Sequence, residues 1–223
     1  YTDPNGKEII IAWDRDKEGN INGINISVKG KVIDNTSKGL SDKQMQRING
    51  RIVNSLVGKI TYSGDSKNDK FGINITVAND ESEIASNDHV YRIVDDIGSL
   101  KGEELSDDEK VMGFAAKGQN YIYLDKNFDG TTAAHETFHS AGLRHIKDEI
   151  QSGTFGKPIM KIGNHFQNFS TNDYSGNLMH QQRDLNQRGE SNQGNKLTKW
   201  QLTMIESLYS NKNMNKGKQK TDD

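Results

Sequence analysis

Residues 135–145 read HETFHSAGLRH, and this stretch constrains the chain more than any other. His135 and His139 are four residues apart, so a helix places them on one face, where both imidazoles reach a single ion. Glu136 stands beside the first of them, where it can touch a water on that ion without ligating it. Gly142 follows three residues after His139. Glycine tolerates the left-handed backbone that ends a helix and turns the chain sharply. His145 then arrives from the returning chain as a third ligand. The spacing predicts a helix over residues 131–142 that ends in a tight reversal. Three neutral imidazoles and one open position are the donor set of a catalytic zinc site rather than a closed structural one. The chain has Cys 0, so no disulfide, thiolate nucleophile or cysteine ligand is available, and zinc must be held by histidine or not at all.

Hydrophobic periodicity supplies the framework around this segment. Residues 8–14 and 21–33 predict strands, the second with Ile24, Ile26 and Val28 alternating with polar residues, and the turn between them is DRDKEGN. Met45, Ile48, Ile52 and Leu56 recur at steps of three and four, which predicts a helix over 41–57, and Ser41 with Gln44 forms a capping box. A short strand is expected at 59–63. The clearest strand is 71–77, where Phe71, Ile73, Ile75 and Val77 alternate. Residues 79–110 are polar and acidic and read as loops with room for one short strand. Strands at 111–116 and 120–124 flank Lys117-Gly118-Gln119. Residues 146–176 carry no period. The last helix spans 198–210, with Trp200, Met204, Ile205, Leu208 and Tyr209 on its buried side and Thr198 and Gln201 at capping-box spacing. A tail over 212–223 reads as disordered. The division expected is an N-terminal strand extension at 1–20, a catalytic domain at 21–211 and the tail.

Composition narrows the function classes. Lys and Arg number 29 against 31 Asp and Glu, a net charge of −2 with the signs mixed, so no basic field exists to attract nucleic acid. The longest run without a polar residue, Val111 to Ala116, has six residues. A spanning helix needs about 20, so membrane insertion is not expected. The chain opens at Tyr1 without a leader, which suggests a processed chain or a piece of a longer one.

The spacing H-E-x-x-H-x-x-G-x-x-H resembles the metzincin clan of zinc endopeptidases, with five of eleven positions fixed. That clan also carries a Met-turn near the metal. Residues 174–180 read YSGNLMH, with turn chemistry ahead of Leu178 and Met179, and Met179 follows His145 by 34 residues. The resemblance covers about residues 21–210. It implies an α+β fold with a twisted, mostly parallel sheet of about five strands, an antiparallel edge strand, a backing helix, an active-site helix and a C-terminal helix. By the same analogy the edge strand is Met112 to Ala116, and Gly113, Phe114 and Ala115 would pair with an extended peptide. The implied activity is peptide-bond hydrolysis, with Zn2+ on His135, His139 and His145 and Glu136 as general base. A protein or peptide substrate, a monomeric state and secretion or export are expected with it. Ile146 matches none of the residues that mark the well-known subfamilies after the third His, and Gln181 stands where two of them place a Tyr. Tyr174 and His180 are the neighbouring polar candidates, each suiting packing or surface better than chemistry.

DKNFDG at 125–130, with Glu136 at the twelfth position, matches a calcium-loop template. Glu136 adjoins a zinc ligand and NYIYL precedes the run, so a turn and an N-cap through Asp129, Thr131 or Thr132 is the better reading. A local Ca2+ ion on Asp125, Asn127 and Asp129 is the alternative. DRDKEG at 14–19 reads as a hairpin turn. His89 and His165 lack ligand spacing and are expected at the surface. YTDPNGKEI resembles the D-P-x-G close of Rhs-type repeat cores, which carry C-terminal effector domains. Two other functions stay open: a zinc hydrolase or toxin-type effector acting on one protein or cell-wall peptide, and a silent binding module of the same fold.

Overall fold

The computed structural model describes residues 9–57, 61–62, 69–86, 88–101, 111–115, 119–146, 176–180, 194 and 196–210. Its organising element is the long strand β2 (Ile21–Asp34), which follows β1 (Ile9–Arg15) through a tight turn. In that turn Asp16 Oδ1 accepts the Glu18 and Asn20 amides at 3.0 and 2.8 Å, and Gly19 takes φ +86°. Ile24, Ile26 and Val28 are buried, as their alternation predicts. β1 runs antiparallel along Ile21 to Val28. On the opposite edge β4 (Lys70–Val77) runs parallel along Asn25 to Val32. Beyond the end of β1, Gly30 to Asp34 pair in parallel with β5 (His89–Val94). Outward from β5 come β7 (Tyr121–Asp125), parallel, and β6 (Gly113–Ala115), antiparallel to β7. The protein is thus α+β with a mixed sheet, and its parallel core runs β4-β2-β5-β7.

Helix α1 (Asp42–Leu56) and helix α3 (Thr132–Ser140) pack together on one face of this sheet. Met45, Ile48, Ile52 and Leu56 of α1 join Phe138, Ala133 and Ala134 of α3 in one core with Tyr91, Ile93, Ile122 and Leu124. The capping-box spacing holds at α1, where the Ser41 amide donates to Gln44 Oε1 at 2.9 Å. Between β5 and β6 lies the short helix α2 (Ile97–Lys101). Helix α4 (Lys199–Ser210) closes the chain against β1, and Trp13 Nε1 donates to Glu206 Oε2 at 2.9 Å across 193 positions. Residues 9–15 of the segment set apart as an extension therefore pair within the main sheet. Ile205 is buried and Met204 and Leu208 are half-buried; the side chains of Trp200 and Tyr209, and the tail, lie outside the described residues. No helix among the described residues is long and apolar enough to cross a membrane.

Two expectations are met in part and one needs correction. The short strand expected at 59–63 is described as β3 (Thr61–Tyr62), which runs parallel with β8 (Lys196–Leu197) in a separate two-stranded sheet. The one short strand allowed within 79–110 is β5, a central strand in which all six residues are buried. A parallel strand covered on both faces has no alternation to display, and His89 and Arg92 broke its apolar run. Arg92 is satisfied by Glu81, to which Nη2 donates at 3.1 Å, and by Asn35 Oδ1 at 3.3 Å. The correction concerns His89, which is fully buried rather than at the surface, with Ser140 Oγ 3.5 Å from its Nδ1. Gly30 makes room for it, because a Cβ there would lie 2.6 Å from the His89 carbonyl oxygen. His165 lies outside the described residues.

Burial pulls the His89 pKa down to about 3, so the native ring stays neutral while the unfolded chain takes up a proton below its usual value of 6.5. The unfolded state binds more protons across that window, so stability is complete above about pH 6.5 and is lost as pH falls toward 3. One proton contributes at most about 1.4 kcal/mol per pH unit. Urea unfolding of metal-free protein should show His89→Gln flattening this slope; an unchanged slope would assign the acid sensitivity elsewhere.

Candidate metal centre

Helix α3 begins at the turn that resembled a calcium loop. Asp129 Oδ1 accepts the Thr131 and Thr132 amides at 3.2 and 3.1 Å and the Thr132 hydroxyl at 2.6 Å, so Asp129 caps the helix. Asp125 Oδ1 closes the turn by accepting the Asn127 amide at 2.7 Å. Calcium on Asp125, Asn127 and Asp129 remains an expectation from spacing alone. The helix is pinned to β5 through Thr137, whose hydroxyl donates to the Ala133 carbonyl at 2.6 Å and lies 3.0 Å from the buried Tyr91 hydroxyl. With Ala133, Ala134 and Phe138 committed to the core, His135 and His139 come to the same side one turn apart.

The helix ends at Ser140, two residues short of the expected 142, in the reversal that the glycine predicts. Gly142 has φ +97°. Its amide donates to the His139 carbonyl at 2.9 Å and the Leu143 amide to the Phe138 carbonyl at 3.0 Å, the bond pair of a Schellman stop. The returning chain brings His145 to the other two rings. The three Nε2 atoms lie 3.0 Å (His135 to His139), 2.9 Å (His139 to His145) and 3.2 Å (His135 to His145) apart.

The outer nitrogens decide what these atoms can do. His135 Nδ1 lies 2.6 Å from the Leu178 carbonyl oxygen and His139 Nδ1 lies 2.9 Å from that of Leu143. A carbonyl only accepts, so in each ring Nδ1 carries the proton and Nε2 is a bare lone pair. Burial first, then the neighbouring His135 and His145, holds His139 well below the usual imidazole range, so an added proton is disfavoured. Lone pairs converging at this range repel unless a cation lies between them. Nitrogens about 2.0–2.1 Å from a tetrahedral zinc sit about 3.3–3.4 Å apart, a few tenths of an ångström wider than here. Among the described residues the three histidines form a group that could hold a metal ion.

The segment 176–180, expected to be a Met-turn, is tied to the rings by backbone. Gly176 adopts φ +79°, and Gly194 is pressed so closely against it that a Cβ on Gly194 would lie 2.3 Å from the Gly176 carbonyl oxygen. The Leu178 amide donates to Lys196 at 2.8 Å, leaving the Leu178 carbonyl for His135. The Ile146 amide donates to the carbonyl of the fully buried Met179 at 3.2 Å, so the chain leaving His145 is joined to the same turn. His180 is fully buried, which removes it from contact with a substrate in solution. Tyr174 and Gln181 lie outside the described residues.

Glu136 is nearly buried, at 7% exposure, against the strand proposed for substrate. A Cβ on Gly113 would come within 2.7 Å of Glu136 Cγ and of Thr132 Cγ2, so only glycine lets helix and strand meet here. Among the described residues β6 pairs with β7 alone. Met112 accepts the Asp125 amide at 3.0 Å, which sets the alternation: Phe114 turns its backbone groups to β7, while Gly113 and Ala115 turn theirs away. Ala116 lies outside the described residues. Spacing could not find the carbonyls of Leu178 and Leu143, because backbone groups leave no residue-type signal. Compared with known protein families, with curated proteins and with solved structures, the chain matches none.

Titration of the purified protein with zinc should saturate at one ion per chain. His139→Ala should remove that binding, as read by chelator competition, and full retention of affinity would contradict the three-ring site.

Proposed function

We propose that the protein is a zinc-dependent endopeptidase of the metzincin type. The observation that carries this reading is the convergence of the three Nε2 atoms, two with protons committed to carbonyls, beside a nearly buried Glu136 that touches an outer strand. Further support comes from the order of elements: the long strand β2, a backing helix, the parallel strands β4 and β5, the antiparallel strand β6, the parallel strand β7, the histidine helix, a Met-containing turn and the helix α4. The sheet is mixed and six-stranded, with 70–77 and 89–94 as parallel strands between α1 and α3 and with antiparallel strands at 9–15 and 113–115.

His135, His139 and His145 would hold the ion as neutral ligands and leave one position open. Bound zinc supplies Lewis acidity, lowering the pKa of a coordinated water toward about 7 and polarising a carbonyl. The chain does the rest. Gly113 and Ala115 offer their outward N–H and C=O groups to an extended peptide, which aligns it by strand addition. Glu136, at the junction of that strand and α3, accepts the proton of the attacking water and returns it to the departing amine.

The deciding experiment incubates zinc-loaded protein with a peptide library, with and without chelator. Chelator-sensitive cleavage is expected, and no turnover at full zinc occupancy would refute an endopeptidase. Glu136→Ala should keep the metal and lose at least about a hundredfold in cleavage rate. Gly113→Ala should leave zinc affinity intact and slow cleavage, because its methyl displaces Glu136. Equal rates for parent and Gly113→Ala would separate the strand from the chemistry.

A further inference from the structure

We propose that Asn177 and Gln201 are positioning residues for the metal centre, acting on His135 through the Leu178 carbonyl. This rests on the zinc reading above.

Both side chains are buried, at 2% exposure each. Asn177 Nδ2 donates to Gln201 Oε1 at 2.9 Å, and Gln201 Nε2 donates back to Asn177 Oδ1 at 3.2 Å. Each oxygen also accepts one backbone amide: Met179 donates to Asn177 Oδ1 at 2.9 Å, and Thr198 donates to Gln201 Oε1 at 2.8 Å. A backbone N–H can only donate, so both oxygens are fixed and only the two amide nitrogens remain to bridge the pair. The ring of bonds closes in one orientation. An amide pair this well satisfied in a dry site is rigid.

What it holds still is the peptide between Asn177 and Met179. Asn177 Oδ1 grips the turn at Met179 and Lys196 takes the Leu178 amide. The Leu178 carbonyl then has one direction left, toward His135 Nδ1 at 2.6 Å. That contact selects the tautomer in which His135 presents Nε2 to the metal. Outer-shell partners of this kind fix ring orientation and raise ligand basicity. Gln201 also caps α4 together with Thr198, whose Oγ1 accepts the Gln201 amide at 3.2 Å. The start of the last helix is therefore coupled to a ligand 66 residues earlier in the chain.

Parent protein, Asn177→Ala, Gln201→Ala and the double variant should be titrated with zinc against a competing chromophoric chelator. Melting of each metal-free protein is recorded in parallel. Both single variants should bind zinc about 10–100-fold more weakly. The double variant should be no weaker than the weaker single one, because the pair acts as a unit. Gln201→Ala keeps the Asn177-to-Met179 bond and every ligand, so it decides the matter if Asn177→Ala does not fold. A pair that serves only the fold would lower the metal-free melting temperature and leave zinc affinity within about twofold of parent; that result overturns the proposal while zinc binding itself stands. Parent protein that takes up no zinc would overturn both.

Discussion

The convergence of three imidazole nitrogens at 2.9–3.2 Å is the constraint on which the rest depends. Such a group is unfavourable in isolation. Two of its rings have fixed tautomers, burial opposes protonation of His139, and the lone pairs of His135 and His139 face one another. The fold holds them there by means that lie outside the rings. Ala133, Ala134 and Phe138 lock α3 against the sheet, Gly142 permits the reversal, and the carbonyls of Leu143 and Leu178 aim the imidazoles. A group so preorganised could take a cation with no large rearrangement left for the ligand to drive.

Much of the site was readable because its parts are local. The ligands lie within eleven residues, so helical spacing and one glycine suffice to bring them together. Both long helices were legible from apolar steps, and β2 and β4 from alternation. Strand β5 was legible only as room for one short strand, for the opposite reason. Its place at the centre of the sheet buries both faces, and its polar residues find partners from distant segments: Glu81 for Arg92, Ser140 for His89. Thr61–Tyr62 was legible as a short strand but not its partner at 196–197, because a short strand does not encode its pairing.

The carbonyl bonded to His135 illustrates the limit most sharply. The YSGNLMH segment was recognisable as a turn, yet the useful atom is the backbone oxygen of Leu178, whose side chain says nothing about it. Thr198 and Gln201 were legible as a cap. The second use of Gln201, as the partner of Asn177, depends on a contact 24 residues away.

The join between β1 and α4, made by Trp13 and Glu206, sets an order of events as the chain leaves the ribosome. Local pieces such as α3 can form early, whereas contacts that span most of the length close last. Residues 177–201 must be in place before His135 has its outer partner. A polypeptide still in synthesis therefore cannot hold the His135 ring in its finished orientation until Gln201 has emerged to meet Asn177.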